Sequence, residues 1–468
     1  MSALNAIILA AGRGTRMKSE TAKVLHLICG RPMIHIALDI ATSVGVKQPL
    51  VVLSKGAQDI KARLPKDAKV VIQSQPLGTG DAVLAAKRLL GSMAGDLLIL
   101  YADTPLLRRS TVHRLIETHR KANATCTLLA AHLANPTGYG RIVRDANAAV
   151  SEVVEEVEAN MAQRAIREIN VGPICAKASA LFEALSNVKP GKAGKEWYLT
   201  QAVELIAQQP GAKIQTARVE SATEAEGVNS RIDLAKATTI LRERILEQHM
   251  LNGVTLLDPK TTYIDFGVTI GQDTLIAPGT VIESGVTIGK RCAIGPYAHL
   301  RHGVTVADDA RIGNFAELVR TSVGHRVRVN HMSYLGDTTI DDDVNIGAGT
   351  ITANYDGEAK HPTKIGKGAF IGSDTILIAP VEIGQGAVTG AGSVVPKEHH
   401  VPPRGVVAGV PARLLNGKAA QPSVAAPRAK ARATPKAKRA SSAKPKSKSA
   451  KPASRPKAKP KAKARARR

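Results

Sequence analysis

Aromatic residues are scarce in this 468-residue chain, at 3% Phe, Trp and Tyr, so any core has to be filled by aliphatic side chains. Cysteine is scarce too. Cys29, Cys126, Cys175 and Cys292 lie far apart and form no Cys-x-x-Cys pair, which argues against a disulfide scaffold and a zinc site and fits a reducing compartment. No stretch approaches the roughly 18 uninterrupted apolar residues that span a bilayer. A basic-then-apolar leader is also missing, because Arg13 and Arg16 follow directly on the apolar run Ala6–Ala11. These absences together predict a soluble, cytoplasmic protein. Acidic residues are lacking at one end only. Residues 418–468 hold 19 Lys or Arg and no Asp or Glu, which accounts for most of the formal net charge of +26. Built from Lys, Ala, Pro and Ser, this tail (417–468) cannot offset its ordering entropy by burial and reads as disordered.

Two textures occupy the rest. Over residues 1–230, short apolar runs (Ala6–Leu9, Leu50–Leu53, Val70–Ile72, Leu97–Leu100) alternate with amphipathic segments, the pattern of an α/β, Rossmann-like domain with a mostly parallel sheet. Ligands in such sheets sit beyond the carboxyl ends of the strands, where the glycine loop after Leu9 and Asp103 after Leu100 both fall. Residues 231–252 read as a linker helix, with Leu234, Ala237, Leu241 and Ile245 on one side and Asn252-Gly253 closing it. Residues 253–416 then carry an aliphatic residue every sixth position without a break from Ile264 through Ile270, Ile276, Ile282, Ile288, Ile294, Leu300, Val306 and Ile312 to Leu318. The period slips at Val323, Val329, Leu335, Ile340 and Ile346, and it returns at Ile365, Ile371, Leu377, Ile383 and Val395. A six-residue apolar repeat is the signature of a parallel β-helix, each repeat supplying one flat side. Such hexapeptide coils are expected to be left-handed, an exception to the usual crossover rule. The gap between Ile346 and Ile365 predicts an extruded loop around Asn354–Pro362.

The string Leu9-Ala10-Ala11-Gly12-Arg13-Gly14-Thr15-Arg16-Met17 follows a strand and precedes a helical pattern. Glycines there let backbone N–H groups approach phosphate oxygens, and Arg16 adds a positive fork. No Gly-Lys-Ser/Thr follows, so it is not a Walker loop, and Met17 stands where a dinucleotide fingerprint has its third glycine.

With Lys23-Val-Leu25, Gln73, Gly78-Thr79-Gly80, Tyr101-Ala-Asp103, Gly138-Tyr-Gly140-Arg141 and Glu226-Gly-Val-Asn229 in order behind it, the loop resembles that of the sugar-1-phosphate nucleotidyltransferases. Joined to a hexapeptide β-helix, it is similar to the bifunctional N-acetylglucosamine-1-phosphate uridyltransferase/glucosamine-1-phosphate acetyltransferase family over roughly residues 4–415. The resemblance implies an enzyme making UDP-N-acetylglucosamine for cell-wall or envelope precursors such as peptidoglycan and lipopolysaccharide, acting as a homotrimer. By it, Leu9, Ala10, Ala11, Gly12, Gly14, Gln73, Gly78 and Thr79 hold UTP, and Arg16 and Lys23 neutralise its triphosphate. Asp103 and Asn229, both hard oxygen donors, ligate Mg²⁺, and Tyr101, Gly140, Glu155 and Asn170 belong to the nucleotide and sugar site. In the second domain His331 is the expected general base for acetyl transfer. Arg301, Tyr334, Asn345, Asn354 and Tyr355 would form the acceptor site, and Ser373, Ala391 and Arg413 the acetyl-CoA site.

The chain departs from the family at Ala102 (usually Gly), Val157 (commonly Lys), Gln201 (Asp) and Val319 (Lys), and the run from Ile294 to Arg301 is short. Two further readings stay open. In one, the β-helix is only a scaffold for a monofunctional uridylyltransferase. In the other, the tail makes the chain chiefly a nucleic-acid-associated protein, binding phosphates by counterion release without stacking aromatics.

Overall fold

The computed structural model describes residues 3–12, 14–90, 95–191 and 196–415. Arg13 and the basic tail, with the disorder read for it, lie outside the described residues.

The four apolar runs are strands Leu4–Leu9, Leu50–Ser54, Lys69–Gln73 and Asp96–Tyr101, paired in parallel around the central Leu4–Leu9. Strand Glu168–Lys177 runs antiparallel between Asp96–Tyr101 and Cys126–His132, and Ile214–Arg218 pairs in parallel at the far edge. Ile7, Ile8, Val52, Leu98 and Ile99 are fully buried, as expected of strands covered on both faces. A small antiparallel pair, Gly140–Arg144 with Val150–Val154, hangs off Glu168–Lys177 and brings a β-hairpin to the ligand edge.

Helix Arg231–Leu251 starts at a capping box, Ser230 accepting from the Asp233 amide and Asp233 from the Ser230 amide. Its first half lays Leu234, Ala237 and Leu241 on the α/β core, while Leu246 belongs to the core of the coil that follows. One helix thus contributes to both cores. At the same junction the Phe266 amide donates to the Cys29 carbonyl at 2.9 Å, and the Arg31 guanidinium lies over the Phe266 ring at 5.2 Å.

From Thr255 to Leu414 the chain is a parallel β-helix. Tyr263 pairs with Val281, Thr269 with Thr287 and Leu275 with Ala293, so one turn takes three hexapeptides and the coil has three faces. Every aliphatic in the six-residue series lines one continuous interior and is buried to 7% exposure or less. Burying such a side chain is worth about 1.5–3 kcal/mol, which is why the period is strict.

The phase slips are shortened corners. Thr305 pairs with Ser322 and Arg311 with Arg328, and the corner residues Arg320 (φ 48) and Asp337 (φ 51) take the left-handed conformation that lets the chain turn one residue early. The longer gap is the loop after Asn354, closed by a Tyr355–Lys360 bridge, after which Thr339 pairs with Lys364. Thr389 sits where the series skips an aliphatic. It is 1% exposed, and its hydroxyl accepts from the Gly372 amide and meets the Thr375 hydroxyl, each at 3.0 Å.

Candidate active sites

The loop after Leu9 leaves the sheet at Ala10, whose amide donates to Val52, and the next strand over leaves at Ala102, whose amide donates to Leu9. These two bonds put the glycine loop and Asp103 side by side. The Ala102 methyl is 1% exposed with ordinary backbone angles, so the core accommodates the replacement of the family's glycine.

Gly14 earns its place by geometry, with φ 63 and a Cβ position only 2.6 Å from Lys23 Cβ. Gly12 by contrast has open space beside it, as a residue facing a ligand should. The packing of Gly14 on Lys23 holds that side chain in place. The Lys23 ammonium lies 2.5 Å from Asp103 Oδ2 and 3.2 Å from Asn229 Oδ1. Asn229 reaches this point because the Val228 amide donates to the Asp103 carbonyl and Asp233 at the start of the linker helix accepts from the Asn229 amide.

A cavity of about 580 Å³ opens above these groups, lined by Leu9, Ala11, Gly12, Gln73, Gly78, Thr79, Tyr101 and Asp103 among others. Gln73 is fixed in it by donating to the Gly78 carbonyl and to Asp81 at 2.7 Å. Gly78 is needed at φ 129, where a Cβ would lie 2.6 Å from the Trp197 carbonyl. Arg16 is exposed on the turn Thr15–Met17, with no ion pair among the described residues.

The hairpin brings Glu155 and Gly140 together, a Cβ on Gly140 falling 3.4 Å from Glu155 Oε2. The Thr200 hydroxyl donates to Glu155 at 2.8 Å, yet burial, with Glu196 adding repulsion, holds this carboxyl above the usual carboxylate range. Asn170 is 9% exposed and accepts from the Gly172 amide, and the absent side chain of Gly172 makes room for the Tyr101 ring. Burial and the nearby Glu155 and Asp103 push the Tyr101 phenol well up, so it is a neutral donor.

Thr200, Glu196, Asp81 and Gly172 were not singled out from the sequence. The string Glu196–Gln201 was the available signal, but which of its residues face the carboxylate is a matter of tertiary contact. Of the two departures read for the sugar side, Val157 is exposed and the Gln201 side-chain oxygen is buried without a partner among the described residues.

In the β-helix, His331 stands exposed on strand Arg328–Gly336, its Nδ1 3.2 Å from the Asn314 side-chain oxygen. An amide oxygen there calls for a protonated Nδ1, leaving the Nε2 lone pair outward. A groove of about 510 Å³ joins His331 to Asn345, Gly347, Ser373 and Ala391. Arg413 lies two strands from it, paired with Ala408, itself stacked on Gly390.

Arg301, Tyr334, Asn354 and Tyr355 do not line this groove. They stand along the next face, past a corner where Tyr297 and Phe315 stack at 5.4 Å, both exposed. There Arg301 donates to Glu317 at 2.9 Å, and Asp337 accepts both from Arg320 and from Asn354. Among the described residues Tyr355 bonds within its own loop, its hydroxyl donating to the Gly357 carbonyl and its backbone bridging to Lys360.

A sheet that presents an aspartate and a glycine loop to one cavity, with a lysine paired to that aspartate, fused to a hexapeptide coil with a histidine in its groove, defines a two-site transferase. Residues 6–187 match the family model for the MobA-like NTP transferase domain, and residues 267–298, 285–320 and 362–397 match the bacterial transferase hexapeptide model. The bifunctional protein GlmU of Geobacillus sp. (strain WCH70) is 41% identical over 83% of this chain and 92% of its own length. That of Geobacillus thermodenitrificans (strain NG80-2) is 42% identical over 86% and 95%. The chain belongs to the bifunctional GlmU family. Among solved structures, UDP-glucose pyrophosphorylase complexed with UDP-glucose aligns with 51% of this chain and 98% of its own, at 18% identity and a TM-score of 0.44. Among the described residues, no helix is long and apolar enough to cross a membrane.

Proposed function

We propose that this chain makes UDP-N-acetylglucosamine in two steps, acetylating glucosamine 1-phosphate in the β-helix and joining the product to UTP in the α/β domain. The observation that carries the second step is the convergence of Lys23 and Asn229 on Asp103, which lines the cavity opened by the glycine loop.

In uridylyl transfer an anionic oxygen of the sugar phosphate attacks the α-phosphorus of UTP. The bond to the bridging oxygen breaks, and pyrophosphate leaves with the electron pair. The nucleophile is already ionised, so positioning and charge neutralisation supply the catalysis. Leu9, Ala10, Ala11, Gly12, Gln73, Gly78 and Thr79 hold the nucleotide, Gly140, Glu155 and Asn170 hold the sugar, and Lys23 and Arg16 meet the phosphates. Two oxygen donors already gather around one cation, the Lys23 ammonium, and this is the donor chemistry that suits Mg²⁺ completed by substrate phosphates and water. When bound there, Mg²⁺ would neutralise phosphate charge. Lys23 would then turn from the carboxylate towards the phosphates.

In acetyl transfer His331 Nε2 takes the proton from the amine as its nitrogen attacks the thioester carbonyl. Coenzyme A leaves as the thiolate, and Asn314 steadies the imidazolium. Ser373, Ala391 and Arg413 hold acetyl-CoA along the groove. The exposed Tyr297–Phe315 corner supports a trimer in which the face bearing Arg301, Tyr334, Asn354 and Tyr355 meets a neighbouring copy, with Asn345 reaching the acceptor from the groove side. Four buried free cysteines favour the cytoplasm.

A second reading, uridylyl transfer alone, is favoured by Val319, which stands in the column of Arg301 where the family carries a lysine. One assay separates them: glucosamine 1-phosphate, acetyl-CoA, UTP and Mg²⁺ with the full chain. Product formed only when N-acetylglucosamine 1-phosphate is supplied directly leaves the monofunctional reading. No turnover of UTP with any sugar phosphate removes both. Any affinity of the tail for nucleic acid is tested by truncation after Gly417, which should leave both activities intact.

A further inference from the structure

The largest fully buried side chain in the α/β domain is charged: Arg141 is 1% exposed. Removing a guanidinium from water is costly unless its donors are met, so its partners reveal what it is held for. Its Nε donates to the Ile166 carbonyl at 3.1 Å, Nη1 to the Tyr139 carbonyl, and Nη2 to Glu156 Oε2 at 2.7 Å and more weakly to the Arg164 carbonyl at 3.4 Å. Glu156 Oε2 also accepts from the Gly138 amide at 3.1 Å, and its bond to Arg141 holds the carboxyl below the usual range.

Three segments are therefore tied to one cation: the turn 138–140, the end of the hairpin at 156, and the connection 164–166 that leads into strand Glu168–Lys177. Each carries one of the sugar-side residues. Gly140 precedes Arg141, Glu155 precedes Glu156, and Asn170 pairs with Gly140 across the sheet. Glu155 follows the hairpin strand Val150–Val154 and opens a turn closed by the Glu158 amide donating to the Glu155 carbonyl at 2.9 Å, so anchoring the turn residue Glu156 holds the backbone from which Glu155 presents its carboxylate.

We propose that Arg141, with Glu156, is the positioning pair of the sugar-phosphate subsite, setting the mutual placement of Gly140, Glu155 and Asn170 without touching substrate. The inference rests on the proposed assignment of those three residues to the sugar. A lysine cannot replace the arginine, because one ammonium cannot reach three carbonyls and a carboxylate lying in a planar fork. The nucleotide side of the cavity makes none of these bonds, so the pair acts on one substrate and not the other.

The test uses full-length R141K and E156Q, assayed for uridylyl transfer with each substrate varied against saturating concentrations of the other. The acetyltransferase activity of the same preparations serves as a control for an intact chain. R141K is expected to raise KM for N-acetylglucosamine 1-phosphate about tenfold or more, and E156Q by a smaller factor, with KM for UTP within about twofold of the parent. Equal rises in both KM values, or no rise in the sugar KM for either variant, overturn the proposal. If R141K does not fold, the same two outcomes are read from E156Q alone. A parent enzyme that does not accept N-acetylglucosamine 1-phosphate at all refutes the underlying site assignment, which is a separate failure.

Discussion

Lys23 occupies the point where a metal ion would compete with it, and that makes Lys23→Met informative in two opposite directions. Methionine keeps most of the volume of the stem, so packing against Gly14 survives. The ammonium is lost. Its side chain is 10% exposed and that of Asp103 is 26%, so the pair is neither fully dry nor at the surface. Breaking a buried pair costs about 3–5 kcal/mol, whereas an exposed pair is worth under about 1 kcal/mol. Water reaching Asp103 places this one between, at about 1–3 kcal/mol. For a domain of this size that lowers the melting temperature in chelator by about 2–10 °C.

Adding Mg²⁺ reverses the order. In the parent the ion must displace or repel an ammonium that sits 2.5 Å from Asp103, and in the variant it meets two free oxygen donors. Thermal shift against Mg²⁺ concentration should therefore show a larger stabilisation and a lower midpoint for the variant. Turnover of UTP should fall by about 10²–10³, the usual loss when one group neutralising transition-state charge is removed. A smaller Mg²⁺ shift in Lys23→Met than in the parent would refute the idea that lysine and metal share these ligands. Retained turnover would refute the role given to Lys23.

Three further outcomes follow from the same geometry. His331→Ala should abolish acetyl transfer while leaving uridylyl transfer within about twofold, measured on one preparation, and equal loss of both would remove His331 from the acetyl step. Glu155→Gln should raise the sugar KM about 10- to 100-fold, the worth of a hydrogen bond to a charged group. It should also change the pH dependence of stability. Because burial raises the carboxyl in the folded state, the native chain binds this proton more tightly than the unfolded one, so stability falls as pH rises from the ordinary carboxylate range through the raised value. The glutamine variant lacks that decline, and melting temperatures compared between pH 5 and pH 8 will show it. Ile294→Ala, at a fully buried rung, should cost about 2–5 kcal/mol. Chemical denaturation would show this as loss of the coil transition, and an unchanged midpoint would contradict the packed interior.

The β-helix was legible almost residue by residue, because a six-residue period needs only local order to be read and every member of the series proved buried. The same holds for the α/β strands, whose apolar runs end where the ligand loops begin. What sequence order could not convey is which face a residue takes after a corner. His331 and Tyr334 are three positions apart in one motif, yet only His331 lines the groove with Ser373 and Ala391. The glycine loop leaves the sheet at the end of strand Leu4–Leu9, and what requires a glycine at 14 in the fold is its contact with Lys23, which no local pattern conveys. Arg141, noted only as part of a motif, emerged as a buried organiser because its partners come from segments 15 to 25 residues away.

The valine at 319 shows how a solenoid can relocate a charge. Leu318 is in the coil interior and Val319 takes the opposite face, where it is still only 4% exposed, in register with Arg301 on one side and Gly336 on the other. The family's lysine would stand there beside Arg301. One residue later Arg320 supplies a cation, and in an ordinary strand it would face the wrong way. It does not sit in an ordinary strand. Its backbone is left-handed at the shortened corner, and the guanidinium turns back to grip Asp337 through two bonds at 2.5 and 2.7 Å. Asp337 in turn accepts from Asn354, so the relocated charge is coupled to an acceptor-site residue instead of being free to meet a phosphate. Arg301, held by Glu317 at 2.9 Å, is then the cation left for the sugar phosphate in the proposed acceptor site. On the proposed acceptor site, the expected consequence is a raised KM for glucosamine 1-phosphate with acetyl transfer retained, since the histidine, its asparagine and the groove are untouched by the change.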